Sequence, residues 1–387
     1  MPAPLTSAQE VHVERLYQYL RVQHAAPESV LKWFRAIPRH RFLETVYLPE
    51  RGTGTPREAV HIAPETNDPA LLESIYADSA LSIQLCGGIC TSSTSQPSLM
   101  AQMMSDAELG PGKRVLEIGT ASGWNAALMS GVVGPDGEVV SVEVDRLLAT
   151  AARQRLAAEG VERVRVVEGD GYYGAPGYGP FDAVVVTVAC PGVPRAWLEQ
   201  MAEDGKLITP FALPDGSAPM LRLVRQRGSC SGRFVRQSWF VSVRGGPWEN
   251  WPEPLSEQAP ALATLRRLPE RRRALPWGKV GDGRQLHEAL GLFLLLHEPE
   301  RTITIREGDG RPGIRYALRV TNPDGLAVIG DHELACYGDP AADARLQELL
   351  EAWIEGGSPR LYDYRITVDG KAPLVLTRAG TALAFEL

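Results

Sequence analysis

The chain has 387 residues, a mass of 42.2 kDa and a formal net charge of −7, with a pI near 5.6. This length exceeds the usual size of one hydrophobic core and predicts two domains. The acidic balance argues against a nucleic-acid partner, and no stretch approaches the ~20 apolar residues of a membrane span. Because the first residues also lack the apolar core of a signal peptide, we expect a cytoplasmic protein with no membrane partner.

Two amphipathic helices are the first predicted elements. Residues 7–23, SAQEVHVERLYQYLRVQ, place apolar side chains at helical spacing, and Ser7 is a candidate N-cap. A second helix is predicted over 28–37 and should end before Pro38, because proline disfavours helical backbone at the residue preceding it. We predict that residues 1–90 form an N-terminal helical segment on the substrate side.

From residue 99 onward, helix-like and strand-like runs alternate. The runs are SLMAQMM, KRVLEIG, WNAALMSGVV, GEVVSVEVD, RLLATAARQRLAAEG, VRVVEGD, FDAVVVTVAC and KLITPF. Short apolar strands separated by helices imply a parallel sheet with helices on both faces. We therefore predict an α/β, doubly wound, Rossmann-like domain over residues 91–248.

The texture of the sequence changes after residue 248. Prolines at 247, 252, 254, 260, 269 and 276 indicate a linker over 249–280, in which the basic run RRLPERRR should be a solvated segment. Beyond it, TITIR, RYALRVT and LAVIG predict strands, 341–357 predicts a helix, and Asp369-Gly370 predicts the turn of a hairpin. Residues 281–387 should form a smaller α+β domain.

The run VLEIGTASGWN joins a predicted strand to a predicted helix through a glycine-containing turn. Glycine permits close backbone approach, and the helix N-terminus presents free N–H groups, so a cofactor can sit there. A tight connection without a ligand fits the same pattern. The candidate cofactor-binding residues are Glu117, Gly119, Thr120, Ala121, Ser122 and Gly123. The turn should tolerate the small alanine at 121 on the expectation that its φ stays below zero.

Two further acids follow the next strands. Glu143 lies 24 residues after Gly119, about where α/β folds place an acid for ribose hydroxyls. Asp170, beside Gly171, should reach the same end of the sheet. An exposed strand-end carboxylate and a turn aspartate are the ordinary alternatives. Recognition of an adenosine without phosphate-binding machinery suggests S-adenosylmethionine.

The cysteines indicate neither a disulfide framework nor a metal site. Five cysteines are scattered through the chain, and Cys86 and Cys90 have no second ligand pair at zinc spacing. No nucleophile-elbow or catalytic-cysteine signature is present. We expect no metal.

Six blocks in order resemble the protein-L-isoaspartate O-methyltransferases: PRHRFL, YADSALSI, STSQP, VLEIGTASGW, EGDGYYG and GPFDAVVVTVACPGVPRAWLEQM. The resemblance covers residues 10 to 245. It implies S-adenosylmethionine as cofactor, an Asp-containing peptide or protein as substrate, and Ser95 as the residue that orients the acceptor carboxylate at the methyl-transfer site. Ser93, Thr94 and Gln96 are then candidate substrate-binding residues. Capping of the following helix is an alternative role for Ser95.

Departures from the family pattern leave the substrate open. Ser93 and Thr94 replace the usual Thr-Ile, and the region after 248 is similar to actinobacterial members associated with ribosomally made peptides such as lanthipeptides, lasso peptides and graspetides. That resemblance implies methylation of an aspartate in a dedicated peptide, leading to aspartimide or isoaspartate. The alternatives are repair of isoaspartyl proteins, methylation of RNA, and a peptide-binding protein with a degenerate cofactor site.

Overall fold

The computed structural model describes residues 3–49, 56–213, 217–248, 255–256, 264, 267–275, 289–294, 297–298, 301–307, 313–320, 324–330, 333–368, 375–378 and 381–384. The chain divides into two compact units. The first comprises Met1–Phe211, Met220–Ser231 and Arg236–Glu249, and the second comprises Ala212–Pro219, Gly232–Val235 and Asn250–Leu387. This partition runs close to the predicted boundary at residue 248 but assigns two earlier segments to the second unit.

The first unit begins with three helices and a small antiparallel sheet. The helices are α1 (Ser7–Val22), α2 (Glu28–Ala36) and α3 (Pro69–Ile75); the strands are β1 (Thr45–Pro49), β2 (Pro56–His61), β3 (Leu81–Cys86) and β4 (Ile89–Thr94), in the order β2-β1-β3-β4. The N-cap of α1 is Thr6, so the prediction of Ser7 was wrong. Thr6 and Gln9 form a reciprocal capping box, which satisfies two backbone N–H groups at the helix start.

The predicted doubly wound α/β domain is confirmed in the rest of the first unit. Its elements are α4 (Pro97–Asp106), β5 (Arg114–Ile118), α5 (Trp124–Val133), β6 (Glu138–Glu143), α6 (Arg146–Ala158), β7 (Val164–Glu168), β8 (Phe181–Val186), α7 (Arg195–Gln200), β9 (Met201–Pro210) and β10 (Met220–Gln226). Strand β11 (Ser229–Arg236) follows, and its residues Gly232–Val235 group with the second unit. The strand order β10-β9-β8-β5-β6-β7 is parallel except at the β10–β9 pair. Strand β5 lies where the winding reverses, the point at which such folds bind ligands.

Close packing around helix α5 holds the cofactor side of the sheet. A Cβ at Gly131 would lie 2.4 Å from the Trp33 ring, so only glycine lets α2 approach α5 this closely. Trp124, which is fully buried, meets Phe34 edge-on with ring centroids 5.6 Å apart. Its indole N–H donates to the Ile37 carbonyl at 2.9 Å. The first turn of α5 is therefore fixed by aromatic packing and a hydrogen bond.

Among its described residues, the second unit includes a six-stranded sheet, a long helix and a three-stranded meander. The sheet order is β12-β14-β15-β16-β17-β13, from β12 (Leu255–Ser256), β13 (Glu270–Ala274), β14 (Thr302–Glu307), β15 (Gly313–Val320), β16 (Gly325–Ile329) and β17 (Glu333–Gly338). Helix α8 (Pro340–Glu355) packs on this sheet, and β18 (Arg365–Val368), β19 (Val375–Arg378) and β20 (Thr381–Ala384) pair antiparallel. The predicted turn at Asp369-Gly370 lies outside the described residues.

The basic run predicted to be a solvated linker instead supplies strand β13. Arg271 to Arg273 pair with β17, and their side chains are balanced by acids: Arg272 contacts Glu270 and Glu333, and Arg273 lies 2.8 Å from Asp343. Arg271 and Arg272 remain exposed, so the run is solvated as predicted but forms a strand rather than a linker. Charged side chains also protect an edge strand from further pairing. No helix in the described part of the chain is long and apolar enough to cross a membrane.

Candidate active site

A cleft lies at the carboxyl ends of β5, β6 and β8. The residues that line it are Thr91, Ser92, Ser93, Thr94, Ser95, Ile118, Gly119, Thr120, Ala121, Ser122, Asn125, Val142, Glu143, Val144, Gly171, Thr187, Val188, Val241, Ser242, Val243 and Arg244. All of them belong to the first unit. The structure thus brings the predicted cofactor turn and the predicted substrate motif to one cavity.

Two glycines shape the turn between β5 and α5. Gly119 has φ of 96°, and a Cβ there would lie 2.6 Å from the Thr187 hydroxyl, which donates to the Gly119 carbonyl at 2.7 Å. Gly123, with φ of 87°, is the N-cap of α5, and its Cβ would lie 3.3 Å from that of Ala152. Gly123 does not line the cleft; it lets α5 and α6 pack closely.

Ala121 departs from the expectation that its φ stays negative. Its φ is 48°, in the left-handed region, where an L-residue with a Cβ costs about 1–2 kcal/mol. The conformation is held by a hydrogen bond from the Ala121 N–H to the Glu143 carboxylate at 2.8 Å. The turn keeps the shape that glycine would adopt more easily, because a buried acid fixes it from the neighbouring strand.

Glu143 is buried, which excludes the exposed strand-end alternative. Its side chain is 4% exposed and lines the cleft. One carboxylate oxygen accepts from Ala121 and the other from the Asp145 N–H at 3.0 Å. Burial raises the pKa of Glu143, and these hydrogen bonds together with the Arg244 charge oppose that rise. A carboxylate has further lone pairs, so Glu143 can still accept from ligand hydroxyls.

Glu117 lies beneath the cleft and does not line it. It is fully buried, and its carboxylate accepts from the Asn125 amide at 2.7 Å and from the Ser141 hydroxyl at 2.5 Å. Thr120 extends the network through a 2.6 Å bond with Ser141. Burial raises the pKa of Glu117 to about 8. Glu117 therefore orients Asn125 directly and Thr120 through Ser141. Both Asn125 and Thr120 line the cleft.

The Asp170 carboxylate is engaged by main-chain donors. Its two oxygens accept from the Tyr172 N–H at 2.9 Å and from the Gly246 N–H at 2.7 Å. Asp170 is not among the residues that line the cleft, whereas its neighbour Gly171 is. The Gly171 carbonyl in turn accepts from the Trp197 indole at 2.7 Å. Asp170 is therefore a turn aspartate that also binds the main chain at Gly246.

The end of β4 forms the other wall of the cleft, where Ser93, Thr94 and Ser95 meet the cavity. The Ser95 hydroxyl makes no hydrogen bond to another described residue, and Gln96 rather than Ser95 is the N-cap of α4. The hydroxyl is therefore available to a ligand. Gln96 itself turns away: its amide donates to Asp78 at 2.9 Å and to Ser98 at 3.0 Å, and it does not line the cleft.

Arg39 anchors this wall from beneath. Its guanidinium donates to five main-chain carbonyls at 2.9–3.3 Å, those of Ile75, Ala77, Ser79, Thr94 and Ser95. The side chain is fully buried and stacks over Trp124 at 5.2 Å, and burial lowers the pKa of Arg39 to about 9. A rigid fork of donors suits this task. Arg39 thereby joins the Ser95 wall to the start of α5.

Several cleft residues were not predicted from the sequence. Thr187 and Val188 follow β8 directly, and their place after an apolar strand could have identified them. Residues 241–244 lie beside Ala189 through main-chain bonds of 2.8 and 2.9 Å, a pairing without a local motif. Asn125 has a buried Oδ1 without a protein partner, a polar atom at the start of α5 that a ligand donor could satisfy.

These residues fit S-adenosylmethionine. Glu143 can accept from ribose hydroxyls, and the valines at 142, 144 and 188 can contact an adenine. A Rossmann-like sheet with this cleft at its switch point is the architecture of the S-adenosylmethionine-dependent methyltransferases. That class uses S-adenosylmethionine as its cofactor.

Comparisons with known proteins narrow this class to one family. The family model described as "Protein-L-isoaspartate(D-aspartate) O-methyltransferase (PCMT)" matches residues 62–247. A protein-L-isoaspartate O-methyltransferase of Thermotoga maritima is 38% identical over 352 residues, covering 91% of this chain and 94% of the relative. One from Vibrio cholerae is 33% identical, covering 60% of this chain and 96% of the relative. The chain belongs to the protein-L-isoaspartate O-methyltransferase family.

Solved structures agree with this assignment. A protein-L-isoaspartate O-methyltransferase structure with 28% sequence identity aligns at a TM-score of 0.59, covering 95% of this chain and 99% of the other. Because the alignment with the Thermotoga maritima relative covers 91% of this chain, it must include much of the region after residue 248. The alignment with the Vibrio cholerae relative covers only 60% of this chain. The C-terminal region is therefore shared with some relatives that bear the isoaspartate name.

Proposed function

We propose that the chain methylates the free carboxylate of isoaspartyl residues in proteins or peptides. The observation that carries this proposal is the Thermotoga maritima relative, whose similarity extends through both the cleft and the C-terminal region. An isoaspartyl residue has an α-carboxylate in place of a peptide bond. With an unperturbed pKa of about 3.3–3.7, that group is ionised at neutral pH and needs no general base.

The cleft would then have to orient the acceptor rather than activate it. Bound S-adenosylmethionine supplies an electrophilic methyl carbon on a sulfonium. The Ser95 hydroxyl would donate to one acceptor oxygen and leave the other to form the new ester bond, while Arg39 keeps the Ser95 backbone in place. The broken S–C bond leaves S-adenosylhomocysteine. The next amide nitrogen of the substrate can then displace methanol from the ester to give a succinimide.

A second candidate is methylation of an ordinary aspartate in a dedicated ribosomal peptide. The favouring observation is that Ser93 and Thr94, the residues that differ from the family's usual Thr-Ile, both lie on the cleft wall. An altered wall is expected where the acceptor differs. The C-terminal region does not distinguish the two candidates, since the Thermotoga maritima relative also matches it.

Matched peptides that differ only in the linkage of one aspartate separate these candidates. Each is incubated with the full chain and S-adenosylmethionine, and the product is followed by mass spectrometry as the gain of a methyl group or its loss as methanol. Methylation confined to the isoaspartyl peptide supports the first proposal. Methylation confined to aspartate supports the second, and a chain that binds the cofactor but methylates neither peptide contradicts both.

A further inference from the structure

Gln84 lies on β3 at a local irregularity of the β3–β4 hairpin. The register pairs Ser82 with Ser93, Gln84 with Ser92 and Leu85 with Cys90, so it shifts on both sides of Gln84. A bulge of this kind redirects a side chain out of the regular alternation. In this hairpin it delivers the Gln84 amide to helix α6, which follows the strand that carries Glu143.

Both polar atoms of the Gln84 side-chain amide are hydrogen-bonded. Its Nε2 donates to the Asp145 carboxylate at 2.7 Å, and its Oε1 accepts from the Thr91 hydroxyl at 2.9 Å. Since a carboxylate can only accept and the hydroxyl can donate, both ends of the amide are used in one orientation. Thr91 lines the cleft, so the amide connects a wall residue to α6.

Asp145 continues the connection to the cofactor side. Its backbone N–H donates to Glu143, and its side chain is the N-cap of α6, accepting from the N–H groups of Leu147 and Leu148. The Arg244 guanidinium lies 3.6 Å from the same carboxylate. The Asp145 side chain is only 16% exposed, so these bonds are partly shielded from water. Asp145 is thus linked to three cleft-lining segments: to Thr91 through Gln84, to Glu143 through its own backbone N–H, and to Arg244 through its carboxylate.

We infer that Gln84 is a positioning residue for methyl transfer: through Asp145 it fixes the wall that carries Ser95 relative to Glu143. This inference rests on the proposed function for its activity readout. Gln84 does not line the cleft and touches no reacting atom. Its removal should leave the cofactor residues in place and loosen the opposite wall.

The test compares Gln84→Leu with the parent full chain. Leucine has a similar size but neither donor nor acceptor. With the peptide that the parent chain methylates as substrate, we expect kcat to fall by about tenfold, which corresponds to about 1.4 kcal/mol on the activation barrier. The affinity for S-adenosylhomocysteine, measured by calorimetry, should be unchanged. Gln18→Leu removes a comparable bond to Glu14 on helix α1 and should change neither quantity.

A double-mutant cycle shows whether Gln84 acts through Asp145. Serine at position 145 can still cap α6 but is too short to reach Gln84. The double variant Gln84→Leu/Asp145→Ser should be no slower than Asp145→Ser alone, because each change removes the same Gln84–Asp145 hydrogen bond. Additive losses, a parent-like kcat for Gln84→Leu, or a matching loss of cofactor affinity would overturn the inference.

Hydrogen exchange separates failure of this inference from failure of the proposed function. With S-adenosylhomocysteine bound, the amides of β4 should exchange faster in Gln84→Leu than in the parent. This readout needs no substrate. If the parent methylates no isoaspartyl peptide, the proposed function fails while the exchange result still decides the inference; unchanged exchange in β4 would overturn it.

Discussion

Ser95 offers a hydroxyl to the cleft without another described partner, while its carbonyl is bound by Arg39. We predict that Ser95→Ala slows methyl transfer by about 10- to 150-fold, the effect of losing a 1.5–3 kcal/mol hydrogen bond to a charged group. Affinity for S-adenosylhomocysteine should persist. Steady-state kinetics and calorimetry measure the two quantities, with Ser74→Ala on α3, whose hydroxyl donates to the Ala70 carbonyl, as control. Unchanged turnover would remove Ser95 from the mechanism.

Glu143 has the complementary role. We predict that Glu143→Gln weakens binding of S-adenosylmethionine and S-adenosylhomocysteine together by at least about tenfold, because both carry the same ribose and the amide loses the charge that strengthens the hydrogen bonds. Glu168→Gln is the matched control: Glu168 ends the adjacent strand, pairs with Glu143 in register and is exposed. Equal affinities in the Glu143 variant and the parent would show that the ribose assignment is wrong.

Glu117 should impose a pH dependence on stability. Its folded pKa, about 8, lies above the ordinary value of 4.5. Between these pH values the folded chain binds more protons than the unfolded chain, so the free energy of unfolding falls as pH rises from about 5 to 8. Glu117→Gln, which does not ionise, should flatten this slope in urea titrations. A variant with the same slope as the parent would exclude Glu117 as its source.

At the scale of elements, Arg39 holds three segments together: its own 3-10 helix at Arg39–Phe42, the end of α3 and the end of β4. We predict that Arg39→Lys lowers the free energy of unfolding by about 2–4 kcal/mol, because one ammonium cannot satisfy five carbonyls held by a planar fork. Methyl transfer should fall as well. Arg35→Lys, at an exposed pair with Glu14, is the control, and equal stability of the two variants would contradict the assigned role.

The alternation of strands and helices could be predicted because the central parallel strands are buried on both faces and read as apolar runs, as in VLEI and FDAVVV. The same pattern placed the turn at 119–123 and Glu143 at one end of the sheet. Strand β13 could not be predicted, since its three arginines acquire partners only when β17 and α8 are in place.

The candidate site was predictable where function lies close to a strand end, and less so elsewhere. Spacing predicted Glu143 and the family resemblance predicted Ser95, and both line the cleft. The resemblance also predicted Gln96, but its side chain bonds to Asp78, 18 residues earlier, and does not line the cleft. The positive φ of Ala121 depends on a bond to Glu143 on another strand. One of the two main-chain donors to Asp170 is Gly246, 76 residues later in the chain. Such long-range hydrogen bonds have no local sequence pattern.

For the whole molecule, every residue that lines the cleft belongs to the first unit. We predict that a chain ending at residue 248 keeps its affinity for S-adenosylhomocysteine but loses stability and activity on polypeptide substrates. The Vibrio cholerae relative, matched over 96% of its length by 60% of this chain, supports binding without the C-terminal region. Calorimetry, thermal unfolding and peptide methylation provide the measurements. Full peptide activity in the shortened chain would exclude a substrate role for the second unit.

Translation delivers the two units in a fixed order. The cleft-lining residues end at Arg244, whereas most of the second unit begins at Asn250. Domains generally fold as units, the N-terminal one first during synthesis. The cleft can therefore form while the ribosome is still adding strands β12 to β20. Residues 212–213, 217–219 and 232–235 are synthesised with the first unit but group with the second, so their contacts within that unit must wait for the later part of the chain.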